Sequence, residues 1–132
     1  MTEIEARKEL ASRTARLDAL FAALADPTRR AIIERLSRSE ARVTDVAEPF
    51  RMSLNAVSKH IRVLEASGVV ARRRKGRDHI LSINARSLDE ADGWIEHTRR
   101  YWEKQLDAME RLLLELKKER KARPKDRKHG SR

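Results

Sequence analysis

Asn55, Ser58, Lys59 and Arg62 fall within eight residues of one another, and Arg72, Arg73, Arg74, Lys75 and Arg77 within six. An amide and a hydroxyl donate and accept hydrogen bonds, while ammonium and guanidinium groups bind anions. Bond-making chemistry needs more than this. A nucleophile, its base and oxyanion donors must converge on a pocket, and the Ser and His residues sit in no such constellation, with no glycine-rich loop near them. The pattern predicts a binding protein and not an enzyme. The formal net charge of +10 and pI near 10.6 point to a polyanionic partner. The distribution qualifies that inference, because residues 117–132 hold nine Lys or Arg against two acids, +7 of the total. Net charge therefore does not locate a binding face, and the spacing of the polar residues has to.

The elements that would position them can be read along the chain. Residues 1–10 are polar and predicted to fray, and Leu17, Leu20, Phe21 and Leu24 recur at helical spacing. A second helix opens at Asp26-Pro27, a capping carboxylate followed by a proline in the first helical position, and runs to about Arg38. Thr44 is the expected cap of a third helix, kept short by Pro49. Ser53 is the expected cap of a fourth over about 54–67, with Val57, Ile61 and Leu64 on its inner face and Gly68 at its end. Two strands follow, 69–74 and 79–83, joined by a turn at 75–78. Ser87 is the expected cap of a last long helix to about Lys121, and Gly93 is a candidate bend within it.

Short helix, turn, amphipathic helix and basic hairpin together form a winged helix-turn-helix pattern. The fold class expected is mainly α with a β-hairpin wing, dimeric. One domain covers 1–121, and 122–132 form a basic disordered tail. On the outer face of the fourth helix, Asn55, Ala56, Ser58, Lys59 and Arg62 are short or basic, so that face can enter a major groove about 12 Å wide. Asn55, Ser58 and Lys59 are the expected base readers. Ser53, His60, Arg62 and the wing cations Arg72, Arg73, Arg74, Lys75 and Arg77 are expected to hold phosphates or a flanking minor groove. Five like charges in six residues repel one another unless something neutralises them. His60 is also placed to pack beside the core.

Ala22-Ala23-Leu24-Ala25-Asp26-Pro27-Thr28-Arg29-Arg30 resembles the opening of the ArsR (arsenic-repressor-like) regulators. The run from Ser53 to Val70 resembles their recognition helix and following strand, and Arg73-Arg74-Lys75-Gly76-Arg77 stands where that family has its wing. The resemblance covers about residues 15–115. It implies a dimeric repressor on inverted-repeat operators, with the first and last helices at the dimer interface, which brings in Leu17, Leu20 and Phe21. The last helix supports dimerisation separately. Trp94, Ile95, Tyr101, Trp102, Leu106, Met109, Leu112, Leu113 and Leu116 offer more apolar surface than one helix needs on a domain this small.

Many members of that family sense metals, but the chain has no cysteine for a thiolate site. Glu96, Asp107 and Glu110 echo the spacing of a second family site along the last helix, although His97 is out of register, so no metal cofactor is expected. The lack of cysteine also removes disulfides and thiol redox sensing. With no apolar run near the ~20 residues of a membrane span and an acidic start that is no signal peptide, a cytoplasmic, nucleoid-associated protein is expected. A small-molecule inducer stays open, and so does the alternative of an architectural protein with little sequence preference.

Overall fold

The computed structural model describes residues 2–122. It divides into two compact units, one ending at Gly93 and one beginning at Trp94. The expected tail therefore lies, apart from Ala122, outside the described residues.

The first unit opens with α1 (Glu3–Leu24), capped by Thr2, whose hydroxyl accepts from Glu5 N. Helix thus covers most of the segment expected to fray. Glu3 and Glu5 lie in its positive first turn, and Glu3 pairs with Arg7 one turn on, so a polar segment can still be helical. α2 (Pro27–Arg38) begins as its sequence dictates. Asp26 Oδ2 accepts from Arg29 N at 3.0 Å, with Pro27 in the first turn. Arg29 also reaches back to the unsatisfied end of α1, donating from Nε to Ala23 O (2.6 Å) and from Nη2 to Ala22 O (3.0 Å). Arg30 does the same for Leu24 O. One short sequence therefore closes one helix and opens the next.

β1 (Ala41–Arg42) was not foreseen, since two residues carry no readable period. α3 (Val43–Ala47) follows directly, capped at Arg42 with no side-chain bond, so Thr44 is helical and not the cap. The strand pairing that fixes Arg42 in extended geometry starts the helix two residues early. Pro49 lies two residues past its end. α4 (Leu54–Ala66) is capped by Ser53, whose Oγ accepts from Ala56 N at 3.0 Å, and Gly68 follows it with φ +88°. β2 (Val70–Lys75) and β3 (Asp78–Ile83) form the hairpin, with Gly76 at φ +63° in its turn. The sheet is antiparallel in the order β1-β3-β2, with Ala41 and Arg72 flanking Leu81 on opposite sides.

The core draws Leu20 and Ala23 from α1, Ile32 and Leu36 from α2, Val46 from α3, and Val57, Ile61 and Leu64 from α4. Ala41, Val69, Val70 and Leu81 close it from the sheet side. α5 (Arg86–Ala122) starts one residue before Ser87, whose hydroxyl donates to Asn84 O and does not cap. Its first turns belong to this unit, where Ala91 is buried. α5 stays helical through Gly93. The second unit is the rest of α5, and none of its described residues is buried. No helix among the described residues is long and apolar enough to cross a membrane.

Candidate nucleic-acid interface

The period of α4 sorts its side chains into two faces. Val57, Ile61 and Leu64 are fully buried, and Asn55, Lys59 and Arg62, at i, i+4 and i+7, are exposed on another stripe. Ala56 and Ser58 are half-buried at the edge of that stripe. Leu54 and Val63 add exposed apolar surface to the helix. His60 stands elsewhere. Its Nδ1 lies 3.4 Å from Arg29 Nη1 and 3.8 Å from Asp26 Oδ2, and its side chain is 25% exposed. His60 thus lies against Asp26 and Arg29 of its own chain and stays partly exposed. The backbone N–H of Arg29 holds the Asp26 carboxyl below its ordinary range, with the charges of His60 and Arg29 acting in the same direction.

The hairpin brings Arg72, Arg73, Arg74, Lys75 and Arg77 onto one projecting element, but two of them are neutralised within the chain. Arg72 donates from Nη2 and Nε to the two carboxylate oxygens of Glu65, near the end of α4, at 2.8 and 3.1 Å. Arg73 donates from Nη1 and Nη2 to Glu40, in the link between α2 and β1, both at 2.6 Å. These bonds raise both guanidinium pKa values and lower that of Glu40. Among the described residues, Arg74, Lys75 and Arg77 form no ion pair, and Arg74 Nε donates to Gly76 O at 3.3 Å. The repulsion expected of five like charges is thus relieved in part by Glu40 and Glu65, which the sequence did not single out. Their partners lie 33 and 7 residues away, and only the 7-residue separation falls inside a readable window.

Arg42 was also missed. It pairs with Asp45 and, with Thr44, Arg72, Arg77, Asp78 and His79, borders a cleft beside the wing. Arg51 lies exposed in the turn before α4.

The expected dimerisation residues divide sharply. Leu20 is buried in the core of the first unit, and Leu17 is partly buried against it. Phe21 is at the margin of exposure. Trp94, Tyr101, Trp102, Leu106, Met109, Leu112, Leu113 and Leu116 are each half or more exposed. Tyr101 and Trp102 meet edge to face, centroids 5.8 Å apart. Glu96 accepts from Arg99 and Arg100, and no group of three or more His, Asp or Glu among the described residues could hold a metal ion.

This geometry has known counterparts. A helix-turn-helix domain model matches residues 24–73, which run from the end of α1 into β2. The transcriptional repressor SdpR of Bacillus subtilis is 33% identical over 76 residues, spanning 58% of this chain and 84% of that protein. The crystal structure of an ArsR family transcriptional regulator superposes with a TM-score of 0.65 at 39% identity, covering 68% of this chain and 93% of that one. An ArsR-like transcriptional regulator from Rhodococcus sp. RHA1 gives a TM-score of 0.67 at 28% identity, over 75% and 93% of the two chains.

Proposed function

The chain belongs to the ArsR family of winged helix-turn-helix transcriptional regulators, and from that premise we propose that it is a cytoplasmic, sequence-specific repressor. It acts as a homodimer on an inverted-repeat operator and needs no metal cofactor. The observation that carries this reading is the division of α4, with Asn55, Lys59 and Arg62 on an exposed stripe and Val57, Ile61 and Leu64 in the core.

In this reading α4 lies in the major groove. Asn55 pairs with an adenine edge, Lys59 reaches guanine, and Ser58 contacts bases from the rim of the stripe. Arg62 and Ser53 meet phosphates, and Arg74, Lys75 and Arg77 bring the wing to the backbone or the adjacent minor groove. His60 acts from behind, seated on Asp26 and Arg29. The exposed apolar residues of α5 join two copies. Two-fold symmetry then sets the two α4 helices about 34 Å apart, one duplex turn. Occupied operators exclude polymerase.

The test is binding of the purified protein to the DNA upstream of its own gene against random duplex, with and without chelator. A preference of roughly 10³-fold or more, unmoved by chelator, is the expected result. Equal affinity for both duplexes contradicts a specific repressor acting at its own promoter and favours an architectural role or a distant target. Loss of binding on chelation contradicts the metal-free mechanism.

A further inference from the structure

The two internally paired wing cations sit in different settings. The side chains of Arg72 and Glu65 are 29% and 28% exposed, and their bond ties β2 to the end of α4. Arg73 and Glu40 are about half exposed, at 52% and 48%. An exposed ion pair adds little to stability. Its bidentate geometry nevertheless engages both terminal nitrogens of the Arg73 guanidinium. Glu40 stands beside β1, and Arg73 is on β2, so the pair spans β3 across the outer face of the sheet. The charge of Lys75 also reaches Glu40. One carboxylate therefore lies in the field of two wing cations, held there by a strand that exists only because β1 pairs with β3.

We propose that Glu40 is a built-in counterion of the wing, which holds Arg73 and partly screens Lys75 and so restrains binding to polyanions of arbitrary sequence. This rests on the reading that the wing faces DNA. Glu40 takes two of the five N–H donors of Arg73, so a phosphate that grips the same two terminal nitrogens must displace the carboxylate, and one that uses the remaining donors meets it as a like charge. Both effects reduce the counterion release that drives sequence-independent association. The stripe of α4 that reads bases does not include Glu40, so the term it restrains is the unspecific one.

Immobilised heparin, a polyanion without base sequence, tests this on the full-length protein. Glu40→Gln keeps the size of the side chain and removes its charge. Glu34→Gln makes the same change on an exposed position of α2 and serves as the control. Glu40→Gln is expected to elute at higher salt than both the parent and Glu34→Gln, and adding Arg73→Gln is expected to remove most of that gain. On random duplex, Glu40→Gln is expected to bind several-fold more tightly, with a log–log salt slope steeper by up to about 0.9. Equal elution of the two glutamine variants, or a gain that survives Arg73→Gln, would overturn the proposal. The heparin arm uses no duplex, so failure of every variant to bind DNA would count against the repressor reading alone and leave the role of Glu40 to be decided by elution.

Discussion

Asn55 and Arg74 represent the two kinds of contact a duplex offers, and their substitutions should fail differently. Asn55 is exposed one residue inside α4, where a side-chain amide can form two hydrogen bonds to one adenine. Asn55→Ala is expected to cost operator binding about 1–3 kcal/mol while leaving random-duplex affinity unchanged. Arg74→Ala should weaken all sequences alike and lower the salt slope by about 0.9. Equal losses on both DNAs for both variants would refute this division. Asp26 makes a pH prediction. The Arg29 N–H holds its carboxyl below the ordinary value of 3.8, so the folded state favours the carboxylate. The resulting stabilisation is complete above that value and is lost as pH falls through the lower, folded one. Thermal melts from pH 5 to pH 2 should show a steeper decline for the parent than for Asp26→Asn. Parallel declines would show that ionisation of Asp26 adds no pH-dependent stability.

At the scale of the element, α4 must be both rigid and correctly begun. Ser53 caps its N-terminus through its side chain, and Ser53→Ala is expected to cost about 1 kcal/mol, read as a lower denaturant midpoint. Ile61→Ala empties a fully buried position and should cost about 2–5 kcal/mol. Arg62→Ala, on the exposed stripe, should leave the midpoint nearly unchanged and weaken DNA binding. A denaturation series that ranked Arg62 with Ile61 would contradict the two-faced helix. The hairpin and α4 act as one body in this account, because the Arg72–Glu65 bond joins them. β1 adds the third strand that stiffens the base of the wing.

For the whole molecule the decisive quantity is the oligomeric state. Leu106, Met109, Leu113 and Leu116 are all more than half exposed on α5, and apolar surface of this extent needs a partner. Leu113→Glu is expected to turn a dimer into a monomer in sedimentation without lowering the melting transition of the first unit. Operator affinity should fall steeply with it, since two half-sites are no longer bound together. A variant that sedimented like the parent would remove Leu113 from the interface. Residues 123–132 form part of the basic segment that holds most of the excess charge. Deleting residues 122–132 tests a contact with flanking DNA: the expected result is weaker binding to every sequence and a flatter salt dependence, and an unchanged slope would leave the segment no such role.

Helix order, the caps Asp26 and Ser53, the inner face of α4 and the hairpin turn could all be deduced from residue order, because each depends on interactions between residues only a few positions apart. Periodicity, capping and left-handed glycines are local physics, and the family resemblance lay in those same segments. Contacts distant along the chain were decided only by the fold. Which wing cations are already paired, where His60 turns, that Leu20 belongs to the core and that Ala41–Arg42 forms a strand each depend on a neighbour brought from another element. Charge illustrates the difference best. A run of five cations reads as a uniform patch in one dimension. Folding sets a carboxylate 33 residues away against one of them, since the energy of an ion pair depends on distance through space and not along the chain.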